Sequence, residues 1–468
     1  MKKYPTLPDF TKLTEALTLY AQLKAEYGAK GISHPLIQAE RALRLALGEL
    51  KALPVDHHLA KEEPNSLKAI RALRSWRRAS GMAHRRHDAA RLRSWRRASG
   101  MAHGRHDAAR LWSSFRADIY PGRLAGAFLG RMAGCTLGAP VEFWPISKME
   151  ALAEENGDDF PPTDYWRRVP DPKELRYEMS PREAYTRGKM SGVPVDDDIA
   201  YTILGLLIAE EHGPDFTTAD VGSAWVKYLP YACTAEEVAL KNLKKGISAS
   251  QAGARDNPYC EWIGADIRAD PWGYMAPGWP ERAAGMAYRD AFLSHRRQGI
   301  YGEMFFAASV SAAFAVDDPV EALRIGLTEI PGNCALYKAI RWALRVAPEI
   351  KDYKQARQAV EEKFKGMHPV HTINNACLTV WGITIGKRDF TRVIGETVAM
   401  GLDNDCTAAT AGSIVGAAIG KRGIPAQWTR GFDDTIHSYL IGRRRFSIRN
   451  VLSRFEKQAR LVHARLPA

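Results

Sequence analysis

Three consecutive aspartates, Asp196, Asp197 and Asp198, follow Pro194 and Val195 and run straight into the apolar stretch 199–209. A stretch apolar around most of its circumference is a helix buried in a core, so the carboxylates stand at the N-terminus of a buried helix. One carboxylate there caps free amides and suits the helix dipole. Three adjacent ones repel, and each raises the others' pKa unless positive charge lies among them. A second acidic group, Asp403 and Asp405 on either side of Asn404, leads through Cys406 and Thr407 into the small-residue stretch 408–418, which lets neighbouring helices come close. Oxygen ligands arranged in this way suit Mg²⁺ or Mn²⁺ better than zinc. Either group alone could be helix capping. Both together, each at a helix start and each acidic beyond any capping need, point to one shared divalent-metal centre.

A glycine-rich segment precedes both groups: 122–130, continuing through Gly134, Cys135, Gly138 and Pro140 to Glu142 and Phe143. It is no phosphate-binding loop, lacking both the preceding strand and the Lys-Ser/Thr ending. With the two acidic motifs, the stretch 263–270, Pro277-Gly278, Arg289-Asp290, Ser294-His295 and 299–303, it makes residues 112–440 resemble the ADP-ribosylglycohydrolase family. The resemblance implies an all-α fold, a cleft with a two-metal Mg²⁺ centre (Mn²⁺ being the alternative), and hydrolysis of an N- or O-glycosidic bond at the ribose of an ADP-ribosyl group. That group would be carried by a protein, a nucleic acid or a small molecule. By position, Asp196, Asp197 and Asp198 would form one ligand group, and Asp403 and Asp405 with Cys406 or Thr407 the other. Asp197, Asp198 and Glu142 would be catalytic, Glu142 matching a family acid on a loop near the substrate, with the general base left open among the carboxylates. Gly138, Glu142, His295 and Tyr301 would bind substrate. Water would attack the anomeric carbon through an oxocarbenium-like transition state. A hydrolase of another ribosyl or nucleoside-like glycoside, and a catalytically silent binding protein of the same fold, are the alternatives. The chain departs from the family pattern at Cys135, where the usual residue is Asp, at Asp196, where it is Thr, and at Cys406, where a hydroxyl is usual. These exchanges change the charge and geometry of the centre.

Other polar and aromatic residues have ordinary structural readings beside functional ones. His371 and His295 could line a cleft or serve as structural hydrogen-bonding residues. Asn333, Asn374 and Asn375 suit a pocket, or a cap or turn. Trp262, Trp272 and Tyr274 could stack on an adenine, or fill the core.

The elements that must hold these residues are helices. Helical periodicity is read at 122–135, 198–211, 218–229, 235–245, 281–294, 303–316, 319–328, 335–346, 353–364, 374–384, 390–400 and 406–419, and alternating strand patterns are nearly absent. Upstream, residues 1–70 form a helical appendage with Ser66 capping a short helix, and 71–111 a basic linker. Its segment 73–84 recurs almost verbatim at 92–103, a tandem duplication rather than a solenoid. The catalytic domain is 112–468. With 46% hydrophobic residues in 468, a core forms without disulfides, and the six scattered cysteines show no CxxC spacing. The net charge of +13 gathers around 71–110 and near the C-terminus, away from the acidic motifs, so it reads as solvated surface rather than a nucleic-acid site. No segment suggests a signal peptide or a membrane span, which leaves the cytoplasm as the expected compartment.

Overall fold

Glycines four residues apart set the packing at the centre of the molecule. In the computed structural model, which describes residues 4, 8–74, 111–113 and 115–464, the helices Tyr120–Gly138 and Asn404–Ile419 run antiparallel with their backbones in contact. Gly126 lies against Gly416, Gly130 against Gly412, Gly134 against Ala408, and Gly138 against Asp405. A Cβ on Gly130 or Gly412 would collide with the carbonyl of the facing glycine, and one on Gly138 would sit 2.5 Å from the Asp405 Cα. Side-chain-free ridges at i, i+4 spacing are what permit so close a crossing. The small-residue helix expected before Ala418 thus has its reason in its partner.

Around this pair pack the helices Asp197–His212, Gln298–Ala313, Thr372–Gly386 and Phe390–Ala399, with Gln298–Ala313 buried along its entire length. The fold is all-α. Its only strands among the described residues are two short antiparallel pairs, Leu175–Arg176 with Ser180–Pro181 and Thr435–His437 with Arg445–Ser447. Every expected helical stretch from 122 to 419 has its counterpart, with ends shifted by a few residues. Beyond residue 120, four α-helices were not expected: Ile146–Asn156, the single turn Ala249–Ala252, Asp270–Met275 and Ile448–Ala464. The last lays Phe455 against Phe128 and Tyr274, with ring centroids 6.0 and 5.3 Å apart. The stretch Tyr120–Val141 is long and apolar enough to cross a membrane, but its most apolar part is wholly buried in this core.

The chain divides into two compact units, Met1–Lys61 and Glu62–Ala468. The first carries helices Phe10–Glu26 and Ser33–Ala52, neither with a buried residue. The division falls at Lys61 rather than at residue 70 because 62–74 is built into the larger unit. Ser66 caps helix Leu67–Ala72 as expected, through the Ala69 amide at 3.4 Å. Ile70 is buried, Glu63 accepts from the Ala335 amide at 2.9 Å, and the fully buried Arg74 pairs with Glu281 at 2.9 Å and Glu329 at 2.8 Å. Residues 75–110, which include both copies of the duplicated segment but for its first residues, lie outside the described residues.

Candidate metal centre

Asp196 is the N-cap of helix Asp197–His212, its Oδ1 accepting from the Asp198 amide at 3.1 Å. Capping therefore uses one aspartate of the three. Asp198 is held on both sides: Oδ1 takes Arg131 Nη2 at 2.9 Å, and Oδ2 accepts from the Cys406 thiol at 3.1 Å. Arg131 is wholly buried, reaching Asp270 at 2.7 Å and Thr202 at 2.7 Å as well. Asp197 Oδ1 accepts from the Tyr177 hydroxyl at 2.7 Å. From the other side, a turn through Gly401 and Leu402, both at positive φ, delivers Asp403 and Asp405 to the start of helix Asn404–Ile419. Glu142 follows the single turn Ala139–Val141 that ends the glycine-rich helix.

These segments converge. Ligand atoms of Asp198, Asp405 and Cys406 lie within 4.8 Å of one another, as do those of Glu142, Asp403 and Asp405, and those of Cys135, Asp196 and Asp198. Burial pushes the carboxyls of Asp197, Asp198, Asp403 and Asp405 upward, and their mutual repulsion adds to it, with Arg131 opposing at Asp198. Burial likewise raises the thiols of Cys135 and Cys406, which accords with Cys406 donating rather than accepting. Oδ1 of Asp403 and Oδ1 of Asp405 are buried without a hydrogen-bond partner. Buried carboxylate oxygens left unsatisfied are costly, and a hard cation with oxygen ligands satisfies them. The donor set therefore fits a divalent ion.

A guanidinium also enters the cluster. Arg176, from the hairpin Leu175–Arg176/Ser180–Pro181, places Nη1 3.0 Å from Glu142 Oε2, and Nη2 3.0 Å from Asp196 Oδ2 and 3.4 Å from Asp405 Oδ2. Neither Arg176 nor Tyr177 was singled out by sequence, since they lie in a stretch with no motif. Arg131 left a readable signal: a charge in the middle of a helix whose other residues, Arg123 near its start aside, are mostly small and apolar. Asp266 was quoted for the resemblance without a role. It is buried with both oxygens unpartnered, its carboxyl pushed up by burial and by Asp403 while Arg268 opposes.

The structure brings together Glu142, Asp196, Asp197, Asp198, Asp403, Asp405 and Cys406. The other expected residues make contacts of their own. Gly138 provides helix clearance beside Asp405. The Thr407 hydroxyl donates back to the Asp403 carbonyl at 3.0 Å, within its own helix, and its oxygen keeps its lone pairs. His295 is fully buried with Nδ1 2.8 Å from Ser294 Oγ, beside the ion pairs of Arg268 with Glu236 and Asp290. Tyr301 is buried too, donating to the Pro64 carbonyl at 2.6 Å, where it ties down the 62–74 segment rather than facing the acids. His371 caps helix Thr372–Gly386, and Asn375 Oδ1 accepts from the Asp403 amide at 3.3 Å. Asn374 bonds the His368 carbonyl at 3.0 Å, and Asn333 sits in the turn before Ala335–Val346. Trp272 and Tyr274 are core, while the half-buried Trp262 stacks on His368 at 4.0 Å.

Among curated proteins, none matches the chain. One solved structure with a similar chain is an ADP-ribosylglycohydrolase-related protein complex, 20% identical, with a TM-score of 0.46, the match covering 74% of this chain and 98% of that one. The sequence profile of the ADP-ribosylglycohydrolase family matches residues 116–460, a span that holds every carboxylate of the cluster and both of its arginines. The chain belongs to the ADP-ribosylglycohydrolase family, hydrolases of the ADP-ribosylglycohydrolase type.

Proposed function

We propose that this chain is a divalent-cation-dependent hydrolase that cleaves the glycosidic bond at the ribose of an ADP-ribosyl conjugate. The observation that carries the reading is the pair of buried, partnerless oxygens, Asp403 Oδ1 and Asp405 Oδ1, within a cluster of six carboxylates: Glu142, Asp196, Asp197, Asp198, Asp403 and Asp405. Asp198, Asp403 and Asp405 would hold the ion, with Mg²⁺ or Mn²⁺ as the fitting species. When bound, it supplies charge to anchor and polarise ribose hydroxyls.

The chain's own groups divide the remaining work. Glu142 has a quarter of its side chain exposed and Asp197 is also partly exposed, whereas Asp196, Asp198, Asp403 and Asp405 are all but sealed. Since Asp197 already accepts from the Tyr177 hydroxyl, Glu142 is assigned as the carboxylate that meets an incoming water. Burial raises its pKa while Arg176 opposes, which suits a group that must accept a proton and release it again. It takes the proton of the attacking water as that water bonds to the anomeric carbon and the glycosidic bond breaks. The bonding pair leaves with the departing group, which then receives a proton from the protonated Glu142 or from solvent. Asp197, fixed by Tyr177, adds negative potential where oxocarbenium charge develops.

Isothermal titration of Mg²⁺ and ADP-ribose into the wild type and an Asp403→Asn, Asp405→Asn double variant tests this. ADP-ribose should bind only with the cation, and the double variant should lose both. Glu142→Gln should keep binding while turnover falls by about 10²–10⁴-fold. If the wild type binds no divalent ion, the catalytic reading fails and a binding protein of the same fold replaces it.

A further inference from the structure

We propose that Arg176 is a resident cation of the centre: its guanidinium fills one of the two cation positions, so that the chain takes up a single divalent ion, beside Asp403, Asp405 and Asp198. The inference rests on the cation-dependent reading above.

Four observations carry it. First, Arg176 bridges carboxylates from three separate segments, Glu142, Asp196 and Asp405, and also donates to the Ala139 carbonyl at 2.8 Å. One charge with fixed geometry thus ties the two acidic motifs together, neutralising carboxylates that would otherwise call for a second cation. Second, one of its partners is Asp196, the carboxylate standing where the family pattern has threonine. A hydroxyl offers no ion pair, so the exchange creates a seat for the guanidinium. Third, the two oxygens of Asp405 are divided. Oδ2 faces Arg176, whereas Oδ1, like Asp403 Oδ1, is buried with no partner. Positive charge is therefore already placed on one side of the cluster and wanting on the other.

Fourth, the hairpin that presents Arg176 is held to the site at a conformational cost. Tyr177 and Glu178 at its tip have φ of 51° and 56°, a region that residues with side chains enter only when the surroundings compel them. The compulsion is visible: Tyr177 donates to Asp197, stacks on Tyr439 at 5.5 Å, and its carbonyl accepts from the Tyr231 hydroxyl at 3.1 Å. Arg176 and Tyr177 thus enter the acid cluster as one fixed unit. A second dication approaching Asp196 and Glu142 would meet this charge at contact distance in a desolvated setting, where repulsion is strong.

Full-length wild type, Arg176→Gln and Arg176→Lys are dialysed to equilibrium against Mn²⁺, and bound metal per chain is measured by mass spectrometry. One ion is expected in the wild type, two in Arg176→Gln, and one in Arg176→Lys, which keeps the charge. Electron paramagnetic resonance of the Mn²⁺-loaded wild type should show an isolated ion, and this decides the matter even if Arg176→Gln fails to fold. Two ions in the wild type, a magnetically coupled pair in its spectrum, or a single ion in Arg176→Gln would overturn the inference while leaving cation dependence standing. No ion in any chain would remove both.

Discussion

Each acid in the cluster is legible as a residue because its neighbours in sequence betray it: a run of carboxylates against an apolar helix needs an explanation that capping cannot supply. The cations that answer them are not legible in the same way. Arg131 and Arg176 meet Asp198 and Asp196 only after folding, and an arginine's partner across the fold leaves no local spacing to read. His295 and Tyr301 show the converse. Their motif neighbours suggested a binding site, and nothing in the sequence marks the contacts that the fold makes with them: Ser294 Oγ for His295 and the Pro64 carbonyl for Tyr301. His371 takes a role that is testable by pH. Its Nδ1 accepts from the Ile373 amide at 3.1 Å, which only the neutral ring can do, and burial, then His368 and Arg297, hold its pKa down to about 4. The unfolded chain takes up this proton near pH 6.5 and the folded one does not. The contribution to stability is thus complete above pH 6.5 and is lost as pH falls from there through 4, amounting to about 3 kcal/mol at most. Urea unfolding at pH 7, 5.5 and 4.5 should show the wild type losing stability faster than His371→Asn, which caps the helix without titrating. Parallel losses would show that His371 is not the group responsible.

Helices are the best-read elements because their apolar periodicity survives in a single sequence. Two of the four that escaped beyond residue 120 were charge-rich, and Ile448–Ala464 shows why. Its buried Val451, Phe455, Ala459 and Val462 have helical spacing, but they are diluted by basic residues that drew attention to surface charge instead. Helix pairing was half-legible: the small residues after Cys406 announced a close approach without naming the partner. The seam between Tyr120–Gly138 and Asn404–Ile419 positions Glu142 and Asp405 relative to each other, so it should govern both stability and the centre. Gly412→Ala would drive a Cβ into the Gly130 carbonyl, and relief requires the helices to part. A cost of about 2–3 kcal/mol is expected, with weaker metal binding. Gly122, on the same glycine-rich helix but with nothing within 4 Å of its would-be Cβ, provides the contrast. Gly122→Ala should be neutral or stabilising by up to about 1 kcal/mol. Equal melting temperatures for the two variants would show that the seam tolerates separation.

At the scale of the whole molecule, composition sets the class and the positions of charge suggest the divisions, but the boundary at Lys61 depends on contacts made by side chains that look ordinary in sequence. Glu63 and Asn65 carry no motif, and Arg74 stands only at the start of the duplicated segment. Glu63 and Asn65 reach Arg297, and Arg74 reaches Glu329, more than two hundred residues away in sequence. Two truncations separate the units on this basis. A chain beginning at Glu62 keeps every residue of the centre and all of these contacts, and should bind Mn²⁺ with the stoichiometry of the full chain and melt at nearly the same temperature. A chain beginning at Leu111 loses Arg74 and leaves the carboxylate of Glu329 buried without its partner, since burial already raises its pKa and Arg74 is what opposes this. Stranding a buried charge costs about 3–5 kcal/mol, and the loss of Ile70 from the core adds to it. The shorter chain should therefore melt several degrees lower or fail to fold, and Glu329→Gln within it should recover part of the loss by removing the stranded charge. Were both truncations equally stable, the 62–74 segment would belong with the N-terminal helices after all, and the boundary near residue 70 read from the sequence would be the right one.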